Sequence, residues 1–313
     1  MLKPINYYKG NFGKAWKRYG SYVFLTFALV ITFLILILDG KQLLTYSFRL
    51  NPAFVLLSIL TVFSGLFVTV QAWRSILARF GSRLSYKDDL RIYCYTLLGA
   101  AIPGGFWSLV GRVALYERQR MSGVNITVAS VIEFMLLGLA GLVVYGLTMF
   151  IQPAQSLWQR PEIAFIVTTT ALTLVQPPLF NRLIRLVLRY SRQSETFTSL
   201  SYSDLGLWLI LEILTVIIGG TAIYVLLQSF IEIPPAEAYV LVVSAWAASA
   251  ASNLLFWFPG KPLLRDGIMA LVLTRLLPPA LALAFVVILR VWTIVSILLA
   301  AGLAWLFLRR KTV

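Results

Sequence analysis

Long apolar stretches alternate with short charged connections along nearly the whole chain. The first stretch runs from Tyr22 to Leu38. Others run from Pro52 to Trp73, Leu90 to Val110, Val124 to Phe150, Ile163 to Phe180, Leu205 to Phe230, Ala238 to Trp257 and Leu263 to Leu308. Most approach the roughly twenty residues that a helix needs to cross a hydrocarbon core. Asn51 before Pro52 has the form of an N-cap with proline at the first helical position, and Ser85 with Asp88 that of a capping box. The segments are therefore expected to be helices rather than barrel strands.

Two of these segments are broken by turns, at Pro103-Gly104-Gly105 in the first half and at Pro259-Gly260 before Lys261 in the second. Unpaired backbone groups are expensive in hydrocarbon, so irregular backbone at membrane depth persists only inside protein or beside a wet cavity. Paired breaks in the two halves of a chain point to a transport site.

Composition agrees with this pattern. Of 313 residues, 59% are hydrophobic, and the mean hydropathy is +0.85. The expectation is one membrane domain over residues 1–313, beginning with a basic segment, residues 1–20, at the cytoplasmic face. Lys3, Lys9, Lys14, Lys17 and Arg18 precede the first apolar run as they would a secretory signal, but Asp39-Gly40-Lys41 stands where small cleavage-site residues belong. A retained first span is expected. Cys94 is the single cysteine and histidine is absent. An intrachain disulfide, a multi-cysteine metal site, histidine-based zinc ligation and histidine-dependent nucleophilic catalysis are thereby excluded. The expectation is a protein that is not an enzyme and uses neither metal nor cofactor.

A formal charge of +15 would suggest nucleic acid in a soluble protein, yet its placement follows membrane topology instead. Basic clusters lie before Tyr22, at Arg74 to Arg91, at Arg112 to Arg120, at Arg182 to Arg192 and at Arg309-Arg310-Lys311. The opposite connections carry Lys41, Arg49 and Arg160 against Asp39, Glu162, Glu232 and Glu237. Positive residues collect on the cytoplasmic side, which places both termini there. The Leu90–Val110 segment is basic on both flanks, so it is expected to enter and leave on one side, as a re-entrant hairpin turning at Pro103-Gly104-Gly105. By the same rule Ala238 to Trp257 and Leu263 to Leu277 form a hairpin entering from the other side and turning at Pro259-Gly260. The expected fold is an all-α polytopic membrane protein of about six full spans plus two re-entrant hairpins in an inverted-repeat arrangement. Eight full spans is the alternative.

Ionisable residues inside apolar segments are candidates for function, and Glu133, Glu212 and Arg290 qualify. A buried ion pair, Glu133 with Arg290 or Arg112, is the plain structural alternative. Beside the turns, Arg112, Lys261, Arg265 and Asp266 could meet an anion, helped by glycine backbone and by helix ends with unpaired amides. Snorkelling or ordinary hydration of those cations is the alternative. The small and hydroxylated residues from Ser244 to Asn253 suit close helix packing better than a polar groove. Trp16, Trp73, Trp158, Trp208 and Trp305 are placed as interfacial anchors. Asp88-Asp89 is expected to be a solvated helix start, although it is also the one feature compatible with a metal-dependent glycosyltransferase.

These residues resemble the flippase-like transmembrane region of lysylphosphatidylglycerol synthases and their stand-alone relatives, over most of the chain from about Leu56 to Trp305. The family's first proline-glycine-glycine motif, arginine and membrane glutamate look like Pro103, Gly104, Gly105, Arg112 and Glu133. Its second proline-glycine motif, acid and later arginine look like Pro259, Gly260, Asp266 and Arg290. Phe106 to Gly111 departs from the family's glycines and aspartate, and so do Lys261 and Leu263 from usual glycines and Asp266 from a usual glutamate. The resemblance implies a domain that handles lipids between leaflets. Aminoacyl transfer belongs to a separate soluble domain of the synthases.

Together these readings predict a flippase or lipid-transport protein of a bacterial-type inner membrane, whose partners are lipids with a phosphate headgroup. Arg112, Arg265 and Arg290 would attract the phosphate while Glu133 and Asp266 position them. No nucleotide-binding loop is visible. A secondary transporter of a small polar solute and a non-transporting scaffold subunit are the rivals.

Overall fold

The computed structural model describes residues 50–82, 84–100, 107–151, 161–190, 199–231, 235–258 and 260–308. The segment Tyr22–Leu38, the first turn at Pro103, Gly104 and Gly105, and Pro259 of the second lie outside these residues. The described residues form ten α-helices and contain no strand. They are α1 (Pro52–Arg79), α2 (Tyr86–Ala100), α3 (Trp107–Glu117), α4 (Gly123–Ile151), α5 (Pro161–Leu174), α6 (Pro177–Tyr190), α7 (Tyr202–Gln228), α8 (Pro235–Ala250), α9 (Lys261–Leu273) and α10 (Pro279–Phe307).

Helices α1 and α7 run antiparallel along their whole length. At one end the Asn51 amide donates to the Ser229 carbonyl at 2.8 Å; midway the hydroxyls of Thr69 and Thr215 meet at 3.3 Å; at the other end Arg79 pairs with Asp204. Capping fixes both starts. The Asn51 side chain accepts from the Ala53 amide ahead of Pro52, and Ser201 and Asp204 exchange side-chain and backbone bonds in a capping box. Arg91 donates to the Leu308 carbonyl at 3.1 Å, so the start of α2 and the end of α10 meet at the Arg79 end of the bundle. This is the molecule's basic end.

Five helical stretches are long and apolar enough to cross a membrane: Pro52–Arg79, Gly123–Ile151, Tyr202–Gln228, Ala238–Leu255 and Pro279–Phe307. The Ile163–Phe180 segment, expected as one span, is instead broken. Pro177 starts a new helix, and α6 is bent 53° away from α5. At 14 residues α5 rises about 21 Å, too little for a core of about 30 Å. Only the bent pair together is long and apolar enough to cross. α6 buries Phe180, Ile184 and Leu188 and exposes Arg182, Arg185 and Arg189. Asn181 ties it to the start of α7 through both backbone groups of Leu200, at 2.8 and 3.1 Å.

The Leu90–Val110 segment is not a continuous helix either. Its arms, α2 and α3, fold back on each other: Tyr116 bonds Asp89 near the open end, Gly111 lies against Thr96, and a Cβ on Gly99 would sit 2.6 Å from the Ser108 amide nitrogen. With 15 and 11 residues, the arms rise about 22 and 17 Å, so neither spans a bilayer. The eight-span alternative needs this segment to cross, and the short, folded-back arms weigh against it.

In the second half α8 continues through a 3-10 turn, Ala251–Leu255, and α9 packs back along it, with Val242 and Ala245 sharing a core with Met269 and Leu273. α8 with that turn has the length of a span, whereas the 13-residue α9 does not. Glycines of α4 set the depth of this hairpin. A Cβ on Gly141 would sit 2.6 Å from the Ala247 carbonyl oxygen, and one on Gly138 would sit 2.7 Å from Leu254. Gly138 is at the middle of α4, and the tip of the hairpin is packed there.

Candidate functional site

Glu133 lies in the third turn of α4, about 15 Å along a helix whose ends are apolar. Arg112 of α3 pairs with it, and both side chains are at most 5% exposed. The Tyr93 hydroxyl of α2 donates to the other Glu133 oxygen at 2.9 Å. The Arg112 guanidinium also lies over the rings of Trp73 and Tyr93, each 4.4 Å from the centroid, and 5.9 Å from that of Phe134. Burying a guanidinium so completely needs this enclosure, because the ion pair and the ring faces replace the water it loses. Trp73 is thus part of the site and not an interfacial anchor. Trp208 is also buried, while Trp305 is half exposed as an anchor would be, and Trp16 and Trp158 lie outside the described residues.

A second polar chain supports this pair from the basic end. Trp73 donates to the Tyr116 hydroxyl at 2.8 Å, and Tyr116 donates to Asp89 at 3.0 Å. Asp89 is fully buried, with Arg74 3.7 Å away. The expectation of a solvated Asp88-Asp89 therefore holds for neither residue in the same way. Asp88 is the cap partner of Ser85 and Arg91, and Asp89, one residue further round the helix, points into the bundle. Among the described residues no group of three carboxylate or thiol side chains gathers as metal ligands would.

The second hairpin approaches from the far side of Phe134. Phe256 stacks on that ring with centroids 6.1 Å apart, and the Lys261 ammonium lies 5.1 Å over it. Lys261 donates to Asn253 at 2.6 Å and interacts electrostatically with Glu133 and Arg265. One turn further, Asp266 accepts from Arg265 at 3.1 Å and pairs with Arg290 of α10. Arg290 is therefore the partner of Asp266, and Arg112 that of Glu133. Of the amides at this turn, that of Lys261 donates to the Phe258 carbonyl, those of Leu263 and Leu264 donate to that of Gly260, and Pro262 has none. Three of the expected free amides are therefore engaged within the turn, and an anion beside it meets mainly side chains.

All five sequence-predicted binding residues thus fall into two groups, Arg112 with Glu133 and Arg265 with Asp266 and Arg290, bridged by Lys261 and Phe134. Gly260 caps α9 at the second turn. Glu212 of α7 joins the first group: it is fully buried, neither carboxylate oxygen has a hydrogen-bond partner among the described residues, and its charge interacts with those of Glu133 and Arg112. Phe134 carries no polar signal in the sequence. Only its position beside Glu133 could have marked it.

The family model of the lysylphosphatidylglycerol synthase transmembrane region matches residues 22–302, most of the chain. The chain belongs to this family. No curated protein and no solved structure shows significant similarity to it. Membership of the synthase transmembrane family, with helices of spanning length, makes this a multi-pass membrane protein of lipid-related type.

Proposed function

We propose that the protein is a non-enzymatic lipid flippase or lipid transporter that moves an anionic or polyprenyl-phosphate lipid between leaflets of a bacterial-type inner membrane. Both termini and the basic end face the cytoplasm, in keeping with the positive-inside rule. The two hairpins are re-entrant and enter from opposite faces, an inverted arrangement. The short arms of α2, α3 and α9 and the mid-helix depth of Leu254 against Gly138 support this reading.

One observation carries the choice of lipid as cargo. Arg265, Asp266 and Arg290 are partly open, with the Arg290 side chain 39% exposed, on a helix whose neighbouring Val287, Val291 and Ile294 are also exposed. A polar group opening sideways among lipid-facing residues admits a headgroup while its tails stay in the bilayer. A pathway for a small solute would enclose those cations instead. A headgroup entering there meets Arg265 and Arg290, then Lys261, then Arg112 across Phe134. Anion binding at each arginine competes with a carboxylate already in place, so the arginines can pass the phosphate on without holding it permanently.

The test is transbilayer movement of headgroup-labelled anionic lipid in proteoliposomes, comparing wild type with Arg112→Ala and Glu133→Gln of verified fold. Wild type should accelerate movement and both variants should lose the acceleration. Absence of movement with every lipid, with or without an ion gradient, would overturn the reading in favour of a solute transporter or scaffold.

A further inference from the structure

The head of α9 carries more positive charge than its surroundings balance. Asp266 is the one carboxylate shared by Arg265 and Arg290, which leaves one cation in excess. Lys261 makes no ion pair among the described residues; its nearest partners are the neutral Asn253 and the ring of Phe134. Glu133, the nearest acid it senses, is already engaged by Arg112 and Tyr93. Two uncompensated charges therefore sit at the tip of a hairpin packed against the middle of an apolar helix. Such charge is costly there without a counter-ion.

Lys261 and Arg265 are four residues apart in one helix, so their side chains leave the same face. Arg265 turns its Nε to Asp266, which leaves its two terminal nitrogens for a fork-like contact. Lys261 adds a compact charge with donors to spare beyond its bond to Asn253. Since the Lys261, Leu263 and Leu264 amides are engaged within the turn, charge more than amide geometry selects the ligand.

The geometry points to Lys261 and Arg265 as a seat for a phosphate monoester dianion, in preference to a phosphodiester or a zwitterionic headgroup. A monoester carries about −1.5 to −2 near neutral pH, which matches the excess of two, whereas a diester carries a single charge and leaves one cation unbalanced. The lipid source of the monoester rests on the proposed function; the seat itself does not.

The test is binding to the full chain in neutral detergent, read from intrinsic tryptophan fluorescence, with dodecyl phosphate, dodecyl methyl phosphate and inorganic phosphate as probes. Wild type should bind the monoester at least about tenfold more tightly than the diester, about 1.4 kcal/mol. Lys261→Gln and Arg265→Gln should each bring the two affinities together, while Lys261→Arg and the distant Lys87→Gln keep them apart. Because the second ionisation of a monoester falls near pH 6, its advantage should fade toward pH 5 while diester binding changes little. Equal affinity of wild type for monoester and diester, or a preference unchanged in both glutamine variants, would overturn the seat. Inorganic phosphate binding as tightly as dodecyl phosphate would preserve the seat but overturn the lipid reading of the proposed function.

Discussion

Replacing Arg112 by methionine would leave Glu133 buried without its counter-ion and held only by Tyr93. Removing one partner of a buried pair costs about 3–5 kcal/mol, because the remaining charge has lost both water and counter-ion. Here the ring contacts to Trp73 and Tyr93 also disappear, so Arg112→Met belongs at the upper end of that range. Glu133→Gln should cost less, about 2–3 kcal/mol, since the amide oxygen still accepts from Tyr93 and the guanidinium keeps its rings. In the double variant Arg112→Met with Glu133→Leu neither charge is buried, and stability should return to within about 1 kcal/mol of wild type. Denaturant unfolding in detergent, with the Glu133→Leu single variant added to close the double-mutant cycle, measures these differences. Losses under about 1 kcal/mol in Arg112→Met, or a double variant as unstable as the sum of its singles, would refute the reasoning. The restored double variant then separates two roles of the pair. If it folds and still moves lipid at the wild-type rate, the pair is structural alone; the proposed function requires that it folds and does not.

Gly99→Ala places a Cβ 2.6 Å from backbone atoms of Trp107 and Ser108, which cannot rotate away, so the arms of the first hairpin must part at a cost of about 1–3 kcal/mol, read as a lowered unfolding midpoint. Asp89→Asn should lower stability by about 1–3 kcal/mol by weakening the Tyr116 and Arg74 contacts; loss of a glycosyl-transfer activity without loss of folding would instead revive the enzymatic alternative. Asn181→Ala removes both bonds to Leu200 and should cost about 1–3 kcal/mol, with amide hydrogen exchange rising first around the start of α7. In a Cys94→Ser background, Arg118→Cys should react with a membrane-impermeant thiol reagent only from the cytoplasmic side, and reaction from outside would mean that the first hairpin crosses.

Charge bookkeeping made much of this fold legible. Two basic flanks around Leu90–Val110 imply a segment that returns to its own side, and each helix found there is too short to span alone. The capping residues Asn51 and Ser85 were readable because N-caps depend on a few neighbouring atoms. The bend before Pro177 was missed, although the proline pair Pro177-Pro178 was its signal, because apolarity on both sides hid the break. Glu133, Glu212 and Arg290 were legible as charges inside apolar segments, yet which partners they take was not. Glu133 had two possible arginines, and which one reaches it depends on how α3 and α10 pack around α4. Trp73 and Trp208 failed as anchors for a related reason: an aromatic near the end of an apolar run can face headgroups or the core, and these two face the core.

The packing glycines join the fold to its chemistry. Within Ser244–Asn253 the expected close packing is what Ser249, Ala247 and Ala250 provide: Ser249 bonds back to the Trp246 carbonyl at 2.7 Å, and the two alanines lie against Gly141. Asn253 does something else and holds Lys261. The two roles depend on each other, since contact of α8 with Gly138 and Gly141 fixes how deep the hairpin tip lies, and that depth brings Phe256 and Lys261 to Phe134. Gly141→Val would push the α8 backbone outward. Stability should then fall by about 1–3 kcal/mol. If the depth of the tip sets the site, binding of dodecyl phosphate should weaken as well, even though Gly141 touches neither Lys261 nor Arg265. A destabilised Gly141→Val that still folds and keeps full monoester affinity would show that the seat forms without this packing, and the glycines would then serve stability only.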